Sequence, residues 1–135
     1  MALQGGILYS GSKDCSVRSW DLIAGRQLSC ARDHRDYVLS LCVGAELCVS
    51  GGAADHLMII YDTDHTGKLT ARHKLSGHSG WVTCLDLTTD ATRVVSGSKD
   101  HQVKVWDTKT GSLLLSLTQD AEITCLSVYP LIPGQ

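Results

Sequence analysis

Proline and phenylalanine are scarce in this chain, which has two prolines, no phenylalanine and thirteen glycines among its 135 residues. Few prolines and many glycines suit short strands that are joined by tight turns. No apolar run approaches the roughly 20 residues that a membrane-spanning helix needs. Residues 1–6 lack the basic start and long apolar core of a signal peptide. We therefore expect an intracellular protein, cytoplasmic or nuclear, that has no membrane partner.

An excess of charge of one sign is also absent. Twelve basic residues stand against fourteen acidic ones, so the formal net charge is −2, and charged residues make up 19% of the chain. A protein that binds nucleic acid through its backbone phosphates usually shows a basic face or stripe. We therefore expect no nucleic-acid partner. The length allows one domain, residues 1–135, with an ordinary globular composition.

The six cysteines do not form a Cys-x-x-Cys pair, so neither a zinc knuckle nor a dithiol redox motif is indicated. Cys84 and Cys125 occupy the same place in two similar segments, and Ser40 occupies it in a third. A position that accepts serine or cysteine is typical of small-residue packing. The sequence therefore predicts reduced, unreactive thiols at these positions, and no metal or cofactor.

Three stretches of the chain repeat one pattern, Ser-Gly followed by an Asp turn, a β-branched run and an aromatic-Asp pair. They are residues 10–21, 50–62 and 96–107. Trp20 lies 41 residues before Tyr61, and Tyr61 lies 45 residues before Trp106. A repeat of this length indicates an array of similar structural units.

The repeat resembles the WD40 family, whose units of about 40–45 residues open with Gly-His and close with Trp-Asp. In this chain Gly77-His78 and Trp106-Asp107 carry that likeness most fully. The resemblance implies an all-β propeller built from four-stranded blades, and it covers nearly the whole chain. The segment Gly6–Ser12 is also similar in style to F-box/WD-type substrate adaptors.

Each repeat predicts up to four strands, named a to d, of which strand a has apolar residues at i, i+3 and i+5. Blade 1 is predicted to hold strands b to d (7–31) without a strand a. Blades 2 (36–75) and 3 (81–118) are predicted to be complete, and residues 122–128 to form strand a of a further blade. These twelve strands make about three blades. A glycine four or five residues after each closing Asp should provide the positive φ of a hairpin turn; these are Gly25, Gly67 and Gly111.

Three blades do not close a propeller easily, because propellers typically carry four to eight. The sequence leaves several interpretations open. The chain could be an excerpt of a larger, incomplete or open propeller, a truncated fragment without independent function, or a half-propeller that dimerises to a six-blade ring. In each case open ends expose surfaces through which the chain could self-associate.

The resemblance assigns a hydrogen-bonded Asp–His–Ser–Trp tetrad to the repeats. The residues at its positions are His78, Ser96, Asp100 and Trp106; His34, Ser50, Asp55 and Tyr61; and Ser10, Asp14 and Trp20. A buried indole N–H needs an acceptor, which a serine hydroxyl provides. A Ser-His-Asp catalytic triad is the rival interpretation. Catalysis rarely needs three copies, and no Gly-x-Ser-x-Gly elbow is present.

Two departures mark the second copy. Tyr61 stands where the others have Trp, and an extra residue precedes Asp55. This copy also opens with Asp33-His34 in place of Gly-His, and the segment after the third copy has Gln119-Asp120 there.

The resemblance also predicts that one face of the blades, formed by the d–a and b–c loops, binds a protein or peptide. The candidate partner-binding residues on it are Arg35, Tyr37, Ser79, Trp81, Lys13, Ala54 and Lys99. Aromatic and Arg side chains are common interface anchors. We therefore expect a non-catalytic scaffold or adaptor. An enzyme on a propeller fold is the rival class, but the sequence shows no cluster of carboxylates or metal ligands that would mark one.

Overall fold

The computed structural model describes residues 2–4, 6–44, 46–88, 90–124 and 126, and all regular structure in these ranges is β-strand. The strands are β1 Ala2–Gln4, β2 Ile7–Gly11, β3 Val17–Asp21, β4 Arg26–Ala31, β5 Val38–Gly44, β6 Leu47–Gly52, β7 Met58–Thr63, β8 Leu69–Leu75, β9 Val82–Leu87, β10 Arg93–Ser98, β11 Gln102–Asp107 and β12 Leu113–Thr118. A helix of membrane-spanning length and apolarity does not occur in these ranges.

The strands described here form three antiparallel sheets of four, each in simple chain order: β1–β4, β5–β8 and β9–β12. We call these sheets blade 1, blade 2 and blade 3. Equivalent residues hold equivalent places in each sheet, since Ser10 pairs with Arg18, Ser50 with Ile59 and Ser96 with Lys104. The predicted all-β architecture of propeller blades in an open arrangement is confirmed.

Blade 2 lies between the other two and holds most of the buried apolar residues that the structure describes. Its strand β7 is buried along nearly its whole length, with Met58, Ile59, Ile60 and Tyr61 at 0% exposure. Successive side chains of a strand point to opposite faces. A strand covered on both faces therefore has a continuous apolar run, which Met58–Tyr61 shows.

The core consists of two layers, each lying between neighbouring blades. In the first layer Tyr9 and Val17 of blade 1 cluster with Ile59 and Tyr61 of blade 2. In the second, the opposite face of blade 2 meets blade 3, and the members include Val49, Met58, Ile60, Val94 and Trp106. The blades are thus held together by apolar faces.

Glycines in the second strand let neighbouring blades approach closely. A Cβ placed on Gly51 would lie 2.7 Å from Val82 Cγ1 of blade 3 and would also meet Ser40 Oγ. Gly97 in blade 3 lies in the same way against Cys84. The predicted small-residue position at Ser40 and Cys84 is therefore a packing contact with these glycines, while Cys125 lies outside the described residues.

The predicted turn glycines are confirmed. Gly25, Gly67 and Gly111 have φ values of +69°, +82° and +76°. Each follows the third strand of its blade, where the chain reverses into the fourth. Glycine adopts this left-handed conformation without a Cβ clash.

The prediction that blade 1 lacks a first strand is wrong. β1 pairs with β2 through Ala2↔Tyr9, Leu3↔Leu8 and Gln4↔Ile7. A three-residue strand is too short to show the i, i+3, i+5 pattern on which the prediction relied.

The predicted strand over 122–128 is not found in its described part, which is residues 122–124 and 126. Ile123 N–H instead donates to Ser98 O (3.0 Å), and the Ile123 side chain lies against Gly97. In each of the three blades, the first strand pairs with the second strand of the same blade. No second strand of a further blade is present in the described residues, so this segment has no strand to pair with. Residues 125, 127 and 128 lie outside the described residues.

Candidate functional site

The structure brings His78, Ser96, Asp100 and Trp106 together into one hydrogen-bonded chain. Trp106 Nε1–H donates to Ser96 Oγ (2.9 Å), and His78 lies 2.6 Å from the same oxygen through Nε2. His78 Nδ1 lies 2.8 Å from Asp100 Oδ2. Because a carboxylate only accepts, Nδ1 carries the proton and Ser96 O–H donates to Nε2.

This chain of bonds is positioned by four different parts of blade 3. Ser96 lies on β10 and Trp106 on β11, while His78 precedes β9 and Asp100 lies in the turn after β10. Ser96 is 0% and His78 7% exposed. Because the Ser96 hydroxyl is enclosed, it cannot reach a substrate as a nucleophile. The arrangement instead links the loops to the sheet.

Protonation states follow from burial and hydrogen bonding. Burial raises the pKa of the Asp100 carboxyl, but hydrogen bonds from His78 and from two backbone N–H groups outweigh burial and hold that pKa below its usual value. The pKa of Asp55 is lowered by the same balance. Burial lowers the pKa of His78. The tetrad therefore combines a neutral histidine with an ionised aspartate.

The second copy retains only part of this arrangement. His34 lies 2.7 Å from Ser50 Oγ through Nε2 and 2.9 Å from Asp55 Oδ2 through Nδ1. Tyr61 takes a different path, since its hydroxyl donates to Asp33 Oδ2 (3.1 Å). Burial raises the pKa of the Tyr61 hydroxyl, so it keeps the proton that it donates.

Tyr61 and Asp33 replace a Trp–Gly pair. In blade 3, Gly77 stands where copy two has Asp33, and a Cβ on Gly77 would lie 2.9 Å from Trp106 Cη2. The indole thus fills the space that a side chain at the preceding position would need. The shorter Tyr61 leaves that space open, and the Asp33 carboxylate enters it and accepts the phenolic proton.

The first copy divides into two separate parts. Trp20 Nε1–H donates to Ser10 Oγ (3.0 Å), as in blade 3. The Asp14 carboxylate accepts hydrogen bonds from Ser16 and forms an ion pair with Arg18 (3.0 Å). Asp14 is therefore not joined to Ser10 and Trp20 through a histidine among the described residues.

Two lysine–aromatic pairs lie on the loop face, which we define by the d–a and b–c loops. Lys99 Nζ lies 3.9 Å from the centre of the Trp81 ring, within blade 3. Lys13 Nζ of blade 1 lies 5.8 Å from the Tyr37 ring of blade 2. Trp81 and Tyr37 remain 39% and 44% exposed. The structure thus joins four of the candidate partner-binding residues in pairs.

The other three candidates are exposed, and their backbones anchor the loops. Arg35 N–H donates to Asp55 Oδ2 and Ser79 N–H to Asp100 Oδ2, both at 3.0 Å. Ala54 N–H donates to Asp36 Oδ2 (3.0 Å). Each hydrogen bond ties a loop residue to a carboxylate, so the tetrad aspartates hold the d–a loops in place.

Sequence reasoning missed two acidic residues of this region. Asp33 accepts the Tyr61 proton, and Asp36 accepts from Tyr37 N–H and Ala54 N–H. The sequence did contain evidence for a contact between Asp33 and Tyr61, because both residues depart from the repeat pattern within the same copy. Asp36 has no such signal, since it bonds to backbone groups that any residue provides.

A separate cleft of about 760 Å³ lies between blades 2 and 3, lined in part by Asp62, Arg72, Asp90 and Asp107. Three of its acidic groups are bonded locally: Asp62 to Arg72 (2.5 Å), and Asp90 and Asp107 to turns of their own blade. Within the described ranges, no three His, Cys, Asp or Glu side chains are placed to hold a metal ion.

The Asp33–Tyr61 substitution should behave as one coupled unit. We expect Tyr61→Trp to lower the free energy of unfolding by roughly 1–3 kcal/mol through overpacking against Asp33. Asp33→Gly should cost about 1–3 kcal/mol by leaving the buried hydroxyl without its acceptor. The double variant should recover much of both losses, measured by urea unfolding.

A matched control is Tyr37→Trp, because that ring is exposed. Its effect should add to that of Asp33→Gly within about 0.5 kcal/mol. Additive effects for Asp33 and Tyr61 would show that the two positions are not coupled.

The lowered pKa of His78 predicts a loss of stability on mild acidification. Below about pH 6.5, where an unperturbed histidine gains its proton, the unfolded chain binds more protons than the folded chain. The free energy of unfolding therefore falls as the pH drops through this region. Urea unfolding at about pH 7 and about pH 5.5 should show this fall, and it should be smaller in His78→Gln.

His65→Gln is the control, since His65 is exposed on a turn, and it should keep the wild-type pH dependence. Equal pH dependence in His78→Gln and the wild type would contradict the assignment of a buried neutral histidine.

Comparison with known proteins places the repeats in a family. The model for the WD domain, G-beta repeat, matches residues 3–21 and 69–107. The chain is 41% identical over 71 residues to nuclear distribution protein PAC1 of Komagataella phaffii, which is 52% of this chain and 14% of that protein. It is 29% identical over 113 residues to human apoptotic protease-activating factor 1, which is 83% of this chain and 9% of that protein. The chain thus spans a small part of both relatives.

Among solved structures, the crystal structure of the computationally designed protein Ika4 superposes with a TM-score of 0.84 and 28% identity, over 96% of this chain and 78% of that one. The predicted likeness of residues 6–12 to F-box/WD-type adaptors stays a prediction. The repeat pattern, the four-stranded blades and these matches together support a WD40-repeat protein, and the family model itself covers residues 3–21 and 69–107.

Proposed function

We propose that the chain is a non-catalytic interaction module whose loop face binds an acidic segment of a partner protein. WD40 repeats generally mediate protein–protein interaction, and proteins of this family are generally non-catalytic. The observation that carries the proposal is the pair of lysine–aromatic contacts on the loop face, Lys13–Tyr37 and Lys99–Trp81.

The charge distribution of the loop face supports an acidic partner. Lys13, Arg35 and Lys99 are all exposed. Three acidic groups of this face are engaged with the protein itself: the Asp55 and Asp100 side chains are 3% and 5% exposed and bonded to histidines, and the more exposed Asp14 is paired with Arg18. An approaching carboxylate would therefore meet cations before it meets anions, and opposite charges also steer association.

The aromatic rings supply apolar area beside each cation. Tyr37 and Trp81 are held by the loop backbone, and each ring has a lysine ammonium near it. Rigid aromatic side chains are frequent anchors of interfaces, and a cation already positioned over a ring loses less freedom on binding. The residue that occupies the place of Tyr37 and Trp81 in the next repeat is Glu122, which is exposed and acidic. The basic surface therefore ends at blade 3.

Hydrogen bonds beneath the loops give this face a fixed shape. The Arg35 and Ser79 backbone N–H groups are bonded to the two tetrad aspartates, which are bonded in turn to buried histidines. A preformed surface binds with a smaller entropic cost than a mobile one. The buried Ser–His–Asp set thereby supports binding, whereas its enclosed hydroxyl argues against the rival hydrolase function.

The proposal is tested by selecting peptides from a displayed random library against the folded chain. Selected peptides should be enriched in Asp and Glu, and their affinity should fall at least about tenfold in the variant Lys13→Glu/Arg35→Glu/Lys99→Glu. Trp81→Ala should weaken binding by a similar factor, and added salt should weaken it as well.

The control is the charge reversal Arg26→Glu/Lys68→Glu/Lys74→Glu, which alters exposed cations on the outer strands β4 and β8 and the turn before β8. It should leave the affinity unchanged. Peptides that bind both triple variants equally well, or that show no acidic enrichment, would refute the proposal.

A further inference from the structure

One face of blade 3 is less covered by the described residues than its equivalents in blades 1 and 2 are, although Ile123 and Leu126 lie against Gly97 at its edge. Tyr9, Val49 and Val95 are equivalent by strand register. Tyr9 and Val49 are 2% and 0% exposed, whereas Val95 is only partly buried. Val103 and Val105 of blade 3 are likewise partly buried, while their equivalents in blade 2 are fully buried. We call this apolar surface, completed by Leu115 and Leu117, the forward face of blade 3.

The interior of the molecule shows what covers such a face. Ser19 O–H of blade 1 donates to Gly67 O (2.5 Å), in the turn before the last strand of blade 2. Blade 3 covers blade 2 with the same turn: His73 Nε2 bonds Lys109 O (2.9 Å), and Gly111 lies against His73 and Leu75. In both interfaces the turn between the third and fourth strands rests on the preceding blade.

The outer strand of blade 3 differs in composition from its equivalents. Leu115 aligns with Ser29 and His73, which bond polar groups of the following blade. Leu115 and Leu117 are 50% and 48% exposed. The forward face of blade 3 is therefore suited to an apolar turn.

Blade 1 has such an apolar turn, and it is exposed. Leu22 and Ile23, just after β3, are 49% and 97% exposed. The residue equivalent to Leu22 in blade 3 is Thr108, which is 3% exposed. A Cβ on Gly25 of this turn would meet nothing within 4 Å, although Gly111 contacts the preceding blade. We call Leu22, Ile23 and the neighbouring Leu8 and Trp20 the rear face of blade 1.

We propose that the forward face of blade 3 binds the rear face of blade 1 of a second copy of this chain. The Leu22–Ile23 turn of one copy lies on Leu115 and Leu117 of the other, in the place that the Gly111 turn takes on blade 2. The new interface repeats the two blade interfaces inside the chain, and the apolar residues on its two sides match each other.

The basic residue Arg18, which lies near the rear face, is compatible with this contact. Arg18 is equivalent to Lys104, which is 6% exposed between blades 2 and 3 and donates to Ser116 Oγ (2.8 Å). Arg18 is already paired with Asp14. A cation at this position therefore lies within a blade interface without loss of its partner.

A head-to-tail contact either closes into a ring or continues as a filament. Two copies supply six blades of the described type, which is within the usual range of four to eight. A closed pair is therefore the expected assembly. It uses surfaces away from the loop face, so its failure would leave the proposed peptide binding untouched.

The test is the mass of the chain in solution, measured by sedimentation equilibrium from about 1 to 50 µM, a range that brackets micromolar association. We expect a species of twice the 14.5 kDa chain mass. Leu115→Glu should raise the dissociation constant at least about tenfold by burying a charge. Adding Ile23→Lys should restore association, because the introduced carboxylate of each copy then faces the introduced ammonium of the other.

Leu39→Glu is the matched control, since Leu39 is 40% exposed on β5, away from both faces, and this variant should associate like the wild type. Thermal unfolding by circular dichroism checks that Leu115→Glu still folds. A wild-type chain that stays monomeric, an assembly that Leu115→Glu does not weaken, or a mass that grows without limit would each overturn the proposal.

Discussion

The burial of apolar faces between neighbouring blades is the interaction on which the rest of the structure depends. A four-stranded sheet with apolar residues on both faces needs cover on both sides, and blade 2 has it. Each fully buried side chain such as Ile59 or Ile60 contributes roughly 1.5–3 kcal/mol. A tetrad hydrogen bond contributes about 0.5–1.5 kcal/mol net. Packing therefore supplies most of the stability, and the polar chains fix the geometry.

The same packing explains how the loop face and the two outer faces relate to each other. Stacked blades hold the d–a and b–c loops on one side, and buried tetrads tie those loops to the strands beneath them. Stacking also means that any blade without a neighbour presents an apolar surface. The leucines of β12 and the Leu22–Ile23 turn are where the described residues present it. Rigid display and a tendency to assemble thus have a common cause.

The sequence predicted the features that repeat, and missed those that depend on a neighbour. The repeat spacing, the turn glycines and the Ser–Trp hydrogen bond each occur in more than one copy, so the interpretation of one copy supports that of another. β1 was missed because three residues carry no pattern. The Asp33–Tyr61 bond required knowledge that the Gly77 position lies against the indole. The Lys13–Tyr37 contact joins different blades, and exposure of Leu115 depends on what packs on it, so neither follows from local sequence.

The most direct measurement of the central claim is hydrogen–deuterium exchange of backbone amides under native conditions. If cover by two neighbours decides stability, the amides of β6 and β7 in blade 2 should exchange most slowly. Those of β10 and β11 in blade 3 should exchange faster at concentrations where the chain is monomeric, and should slow as it associates. Equal protection in all three blades, or slowest exchange in blade 1 or blade 3, would contradict the account.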